Sequence, residues 1–159
     1  MKKFIVFLTL ASVILTGLSC GKKECKLRPA ARDAEQIESF AIANGIDATA
    51  HPKGFYYEII DPGSGATVTA ESSIVITYVG KFLSGQEFTR QDTPNNTPAN
   101  PAWPLTQLIQ GWQLGIPLIK EGGTIKLIIP SALAYGCEQY YSIPGNSVLY
   151  FEIKLIDVQ

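Results

Sequence analysis

Residues 143–155 read Ile-Pro-Gly-Asn-Ser-Val-Leu-Tyr-Phe-Glu-Ile-Lys-Leu, and the second half of that stretch decides what kind of layer the chain builds. Leu149, Phe151, Ile153 and Leu155 alternate with Tyr150, Glu152 and Lys154. Successive side chains of a strand point to opposite faces, so this period of two predicts a strand with one buried face. Working outward, Thr124–Ile129 carries Lys126 between Ile125 and Leu127, and Phe55–Ile60 is β-branched and aromatic. Ser73–Val79 is a further strand, with Lys81–Phe88 as its hairpin continuation, and Asp61-Pro62-Gly63-Ser64-Gly65 is a turn. A single short helix candidate lies among them, around Gly111–Leu118, ended by Pro117 and Gly122-Gly123. Antiparallel strands with one helix predict an α+β fold, a curved sheet whose concave face the helix fills. Asp92–Pro104, rich in Pro and Asn, is a long loop of the kind that more often serves function than connection.

At 159 residues the chain has room for one domain and extras. Lys2 and Lys3 precede an apolar run from Phe4 to Leu15, then small residues and Cys20. That order is a secretory signal, and the run is shorter than the about 20 apolar residues a membrane span needs. An uncleaved membrane anchor is the alternative. Residues 1–19 are therefore read as signal, 20–32 as tether, 33–50 as a helical extension and 51–159 as the main domain. In the extension, Asp33 and Gln36 imitate a capping box, Ile37, Phe40 and Ala41 share a face, and Asn44-Gly45 is the stop. So narrow an apolar face predicts a helix that needs a surface to dock on.

Thr16-Gly17-Leu18-Ser19-Cys20 resembles a bacterial lipobox, with Gly17 where an aliphatic residue is usual. The resemblance implies acylation of Cys20, and more than one acyl chain is what stable anchoring takes. Gly21 rather than Asp after the cysteine implies, by resemblance to lipoprotein sorting rules, the outer membrane facing the periplasm, with surface exposure left open. Lys22, Lys23, Lys26, Arg28 and Arg32 would then lie beside anionic head groups, or simply solvate the tether.

A net charge of −1, from 13 basic and 14 acidic residues, leaves no basic patch for nucleic acid. The sequence carries no Ser/His/Asp set, metal cluster or phosphate loop, so no cofactor is expected. What it does carry is a set of aromatic and apolar stretches. They are Tyr78-Val79-Gly80 with Gly85 and Phe88; Leu108-Ile109-Gln110-Gly111-Trp112; Leu133-Ala134-Tyr135-Gly136; and Ile143-Pro144 with Leu149 and Phe151. If the fold brings them together, the pocket has only hydroxyls for chemistry. Such a pocket suits the distortion of a bound amide rather than its hydrolysis.

In that order, over about residues 54–159, these motifs resemble the FKBP-type peptidyl-prolyl cis-trans isomerases. The resemblance implies an FKBP-like antiparallel curved sheet wrapped around one short helix. It implies that Trp112 floors a pocket for the proline ring, walled by Phe88, Leu108, Ile109 and Phe151. The Ile109 N–H and the Tyr135 hydroxyl would hold substrate carbonyls, while Tyr78 and Phe151 present ring edges to the twisting carbonyl. Trp103, Tyr140 and Ile143 complete the expected substrate contacts. Partners would be proline-containing polypeptides, and the membrane through the lipid anchor. The sequence departs from the family pattern at Thr89, where an Asp is usual, with Asp92 as a possible stand-in. Pro101 or Ala102 occupies a wall position, and Tyr140 and Tyr141 stand where smaller or imidazole side chains are familiar. These departures keep open a second function, a weakly catalytic chaperone or partner-binding module, and a third, a component of an envelope assembly.

Two residues have plain readings. Cys25 and Cys137, in an exported chain, are read as free thiols, with a disulfide permitted by the compartment. His51, with no partner nearby in sequence, is read as solvated surface.

Overall fold

The structure, a computed structural model, describes residues 25–159. The expected signal segment and the lipobox-like stretch ending at Cys20, with Lys22 and Lys23, lie outside the described residues. The elements run α1 (Ala34–Ala43), β1 (Thr49–Ala50), β2 (Tyr56–Asp61), β3 (Ser73–Phe82), β4 (Glu87–Gln91), β5 (Trp103–Pro104), α2 (Gln110–Gly115), β6 (Thr124–Ile129) and β7 (Leu149–Val158). All seven strands join one antiparallel sheet in the order β1-β2-β6-β7-β3-β4, with β5 pairing the start of β3. The chain is an α+β domain with a curved sheet, as the alternation at 149–155 requires. The sheet begins at Thr49, slightly ahead of residue 51.

β7 sits in the middle of the sheet, between β6 and β3. Its Leu149, Phe151, Ile153 and Leu155 face the concave core with Ile125, Leu127 and Ile129 of β6 and Ile74 and Ile76 of β3. α2 and the turn that follows it fill that face through Trp112 and Ile116. The helix lies close because glycines face β6: a Cβ at Gly111 would come 2.5 Å from Ile129 Cγ2, and one at Gly115 2.6 Å from Leu127 Cδ2. Pro117 does not end this helix. It sits inside a 3-10 turn, Ile116–Leu118, that continues α2.

The alternation fails at one position, Tyr150, which is 8 % exposed although it points to the outer face. α1 covers it there. Ile37, Ala41 and Ile46 pack on Ile128, Val148 and Tyr150, and the Phe40 and Tyr150 rings lie 5.6 Å apart. α1 thus finds the docking surface its narrow face needs. Its C-terminus is a Schellman closure: Ile46 N–H donates to the Ala41 carbonyl and Gly45 N–H to that of Ile42, with Gly45 at φ 63°.

Its N-terminus differs from the expected capping box. A 3-10 turn at Ala30–Arg32 brings Asp33 in with helical φ and ψ, so its carboxylate does not reach the first N–H groups. Instead, fully buried Asp33 accepts from Arg28 Nη1 and Gln36 Nε2 at Oδ1, each at 3.1 Å. His51 is not simply solvated either. Its ring stacks on Phe55 at 4.3 Å, and its Nδ1 accepts the Lys53 N–H.

Cys25 and Cys137 are not free thiols but are joined in the disulfide that an oxidising compartment permits, with Cα atoms 5.4 Å apart. The pairing spans 112 residues, a contact no local pattern encodes.

Candidate active site

The concave face opens into a cavity of about 350 Å³ where α2, β3, β4, β5, β7 and the loop 134–148 converge. All ten pocket residues expected from the sequence line it: Tyr78, Phe88, Trp103, Leu108, Ile109, Trp112, Tyr135, Tyr140, Ile143 and Phe151. Thr89, Gln107, Tyr141 and Ser142 line it too. Gln107 and Ser142 are polar residues in a turn and a loop, with no sequence signal to single them out.

Trp112 forms the base. It is 4 % exposed, and the Tyr78 and Phe151 rings meet it nearly at right angles, at centroid distances of 5.0 and 5.1 Å. Phe88 stands perpendicular to Phe151 at 5.8 Å. Perpendicular contacts of this kind set the positive edge of one ring against the negative face of another. The Trp112 Nε1–H is buried without a partner among the described residues. Strand register assembles these walls: Gly80 of β3 pairs with Phe151 of β7 on one side and with Thr89 of β4 on the other. Gly80 has no positive φ. It is needed because a Cβ would meet Thr89 Cγ2 at 2.6 Å, Phe151 Cε1 at 2.8 Å and Phe88 Cζ at 3.0 Å.

Ile109 is the N-cap of α2, in an extended conformation, and helix geometry leaves the N–H groups there without intrahelical partners. Gln113 secures the entry, its Nε2 donating to the Leu108 carbonyl at 2.7 Å. On the opposite rim, Tyr135 stacks on Tyr140 with ring planes 9° apart and centroids 4.3 Å apart. Burial, then the neighbouring Tyr140 and Tyr78, push the Tyr135 hydroxyl above the ordinary phenol range, so it stays a protonated donor through neutral pH. Tyr140 and Ile143 exchange backbone hydrogen bonds of 2.9 and 2.8 Å across a tight turn whose tip, Tyr141, adopts φ 48° and is 84 % exposed.

Thr89 Oγ1 lies 3.2 Å from the Tyr78 hydroxyl, so this position makes a hydrogen bond to Tyr78 without carrying a charge. Asp92 does not replace the carboxylate. It faces Arg90, which it meets at 3.0 Å while Arg90 also holds Glu87 at 2.7 Å, away from the cavity. Pro101 and Ala102 do not form the wall; Trp103 does, its Nε1–H donating to Asn100 Oδ1 at 3.2 Å. The loop 92–102 that delivers Trp103 is held by Asn95, fully buried and unmarked in the sequence reading. β5 pairs β3 at Ser73 and Ile74, and β4 pairs it from Tyr78, leaving a gap in the ladder. Asn95 fills the gap: its Oδ1 accepts the Ile76 N–H at 2.7 Å and its Nδ2 donates to the Ile74 carbonyl at 2.9 Å.

Residues 65–156 match the family model described as FKBP-type peptidyl-prolyl cis-trans isomerase. The chain belongs to that family. The FKBP-type peptidyl-prolyl cis-trans isomerase FkpA of Escherichia coli K12 is 35 % identical over 129 residues, covering 81 % of this chain and 46 % of that protein. A probable FKBP-type isomerase of Haemophilus influenzae is 32 % identical over 146 residues, covering 91 % of this chain and 58 % of its own. The chain thus spans about half the length of the curated relatives it matches. Among solved structures, that of Escherichia coli FkpA superposes with a TM-score of 0.68 at 34 % identity, covering 82 % of this chain and 59 % of the other. A peptidyl-prolyl cis-trans isomerase from Pseudomonas syringae pv. tomato superposes at 0.66 with 25 % identity, covering 84 % of this chain and 98 % of its own. The FKBP-like sheet around α2 is the scaffold these proteins share with this chain.

Proposed function

We propose that this chain catalyses cis-trans isomerisation of X-Pro bonds in exported polypeptides, held to the bacterial envelope by an acylated Cys20. The observation that carries the reading is the cavity itself. Its lining is aromatic, aliphatic, hydroxyl and amide, with no carboxylate, amine, imidazole or thiol among the lining residues. Rotation about an X-Pro bond faces a barrier of about 18–20 kcal/mol because amide resonance stiffens the C–N bond. The charge-separated resonance form is disfavoured in a dry apolar site, so the bond softens there. Acceleration then depends on binding the twisted amide better than the planar one.

In this reading the proline ring rests on Trp112 between Phe88 and Phe151. The Ile109 N–H and the Tyr135 hydroxyl fix the flanking carbonyls, and the edges of Tyr78 and Phe151 face the rotating one. No covalent intermediate is formed. The Cys25–Cys137 disulfide supports an oxidising compartment, and therefore export. Gly21 after Cys20 favours the outer membrane, facing the periplasm. A fatty-acid label incorporated by the full chain and absent from Cys20→Ala tests the anchor.

The activity is tested by exchange of an X-Pro peptide measured with catalytic amounts of the chain. Acceleration is expected, reduced at least tenfold by Trp112→Leu and by Phe151→Leu. No acceleration at high protein concentration refutes it. The exposed Tyr140 and Tyr141 at the mouth favour a second reading, a chaperone that binds without turnover. Suppressed aggregation of a proline-free client in the absence of peptide isomerisation would select that one.

A further inference from the structure

Residues 25–28, ahead of α1, do not hang free of the domain but lie against the base of the loop 134–148, whose Tyr135 and residues 140–143 form one side of the cavity rim. Cys25 is bonded to Cys137, two residues beyond Tyr135, with Cα atoms 5.4 Å apart. Leu27 lies over Gly136, whose Cβ position would be 3.6 Å from Leu27 Cδ1. The Arg28 N–H donates to Asn146 Oδ1 at 3.2 Å, on the far side of the same loop. The guanidinium of Arg28 then reaches buried Asp33, where α1 starts. The strap from 25 to 33 is therefore fastened to the rim at its outer end and to the sheet's convex face at its inner end.

Only five residue steps separate Cys20 from Cys25. A fully extended chain spans at most about 3.6 Å per residue, so Cys25 lies within about 18 Å of Cys20 and the Cys137 loop within about 23 Å. A domain of this size has a radius of gyration of about 14 Å and is roughly 36 Å across. An acyl group on Cys20 therefore cannot reach the bilayer around the far side of the molecule. The rim also has the chemistry of an interfacial surface. Tyr141 is 84 % exposed and Tyr140 47 % at the tip of the loop, and Leu27 is 56 % exposed in the strap beside the exposed Lys26, while Arg28 is engaged by Asp33 and Glu138 is the exposed carboxylate of the loop. Tyrosines settle at the level of lipid head groups, and cationic side chains meet anionic lipid there.

We propose that the cavity rim is a membrane-facing surface: the disulfide clamps the lipid tether beside the mouth, which opens onto the head-group layer of an anionic bilayer. Resting on the acylation of Cys20, this narrows the substrate class to polypeptide segments lying at the membrane surface. The disulfide sets the orientation. Without it, only the exposed Arg28–Asn146 hydrogen bond and the Leu27 contact hold the strap to the loop, and once these open the first firmly held residue is Asp33, eight residues on, which adds about 29 Å of slack.

The two tryptophans of the chain, Trp103 and Trp112, both line the cavity, so their fluorescence reports its distance from the bilayer. The acylated full chain is reconstituted in phosphatidylethanolamine and phosphatidylglycerol vesicles containing dansyl-labelled lipid, and energy transfer from tryptophan is measured. Strong transfer is expected, falling at least twofold in Cys25→Ser/Cys137→Ser and in the acylated chain of unaltered sequence reduced with dithiothreitol, with an unchanged circular dichroism spectrum as the check on folding. Fatty-acid label at Cys20 is scored on the same samples. Label present with transfer unaffected by either change overturns the proposed orientation and leaves the anchor standing. Label absent overturns the anchor and this orientation together.

Discussion

Replacing Asn95 with alanine removes one side chain and leaves two buried main-chain groups of β3 unmet. The Ile76 N–H loses its acceptor at 2.7 Å and the Ile74 carbonyl its donor at 2.9 Å. A third bond, Nδ2 to the Pro101 carbonyl at 3.2 Å, is partly exposed, so water replaces it cheaply. A buried donor or acceptor left unsatisfied costs about 1–3 kcal/mol, and two of them total about 4 kcal/mol. That is a large share of the 5–15 kcal/mol, roughly, by which domains are stable. With a urea slope of about 2 kcal/mol/M, the unfolding midpoint should fall by about 2 M. The neighbouring Asn96 is exposed and is the control: Asn96→Ala should move stability by less than about 0.5 kcal/mol. Function should follow. The loop Asn95 holds delivers Trp103 to the cavity wall, so KM for an X-Pro peptide should rise in Asn95→Ala under conditions where it remains folded. Equal midpoints for the two alanine variants would refute the reasoning, because they would mean that the gap in the ladder is not bridged by this side chain.

Other outcomes can be stated from the same geometry. Gly80→Ala puts a methyl group 2.6 Å from Thr89 Cγ2 and 2.8 Å from Phe151 Cε1, so the wall rings must move. Peptide isomerisation should fall at least tenfold while stability drops by about 1–3 kcal/mol, the usual cost of overpacking; unchanged turnover would show that the rings shift freely. Thr89→Asp adds a charged acceptor beside the Tyr78 hydroxyl, now 3.2 Å from Thr89 Oγ1, and should raise kcat/KM in the same assay. An unchanged value would mean that the neutral hydrogen bond already suffices. The hydrogen bond from Lys126, at 2.8 Å, holds Glu58 below the usual carboxylate range, against a smaller opposing effect of burial. A depressed folded pKa contributes stability that is full above the unfolded value and is lost as pH falls through the folded one. Glu58→Gln should therefore flatten the acid limb of a Tm-against-pH curve, and an unaltered limb would count against the pair.

Much of the cavity could be read along the chain because its walls belong to short local patterns. Leu108-Ile109-Gln110-Gly111-Trp112 writes an extended residue, a helix start and a buried indole into five positions. Ala134-Tyr135-Gly136 writes a turn, with Gly136 at φ 77°. The period of two in β7 marks its concave face without reference to any other strand. What could not be read depends on atoms far apart in sequence. Tyr150 looks like an outward residue until α1 lands on it, and α1 is over a hundred positions away. Asn95 looks like one more polar loop residue until β4 and β5 leave a gap for it to fill. The capping box at Asp33 gave way because the 3-10 turn at Ala30–Arg32 leads into the helix with Asp33 already at helical angles.

The chain's periodicity therefore carried the α+β fold, since alternation is written within a few positions, while the order of its motifs carried the resemblance to the family and, through that resemblance, the ten pocket residues. The tertiary structure added the pairing of Cys25 with Cys137, the burial of Tyr150 and Asn95, and the close approach at Gly80. Those are relations between segments, and a one-dimensional pattern holds no information on which distant atoms will come within bonding or contact distance.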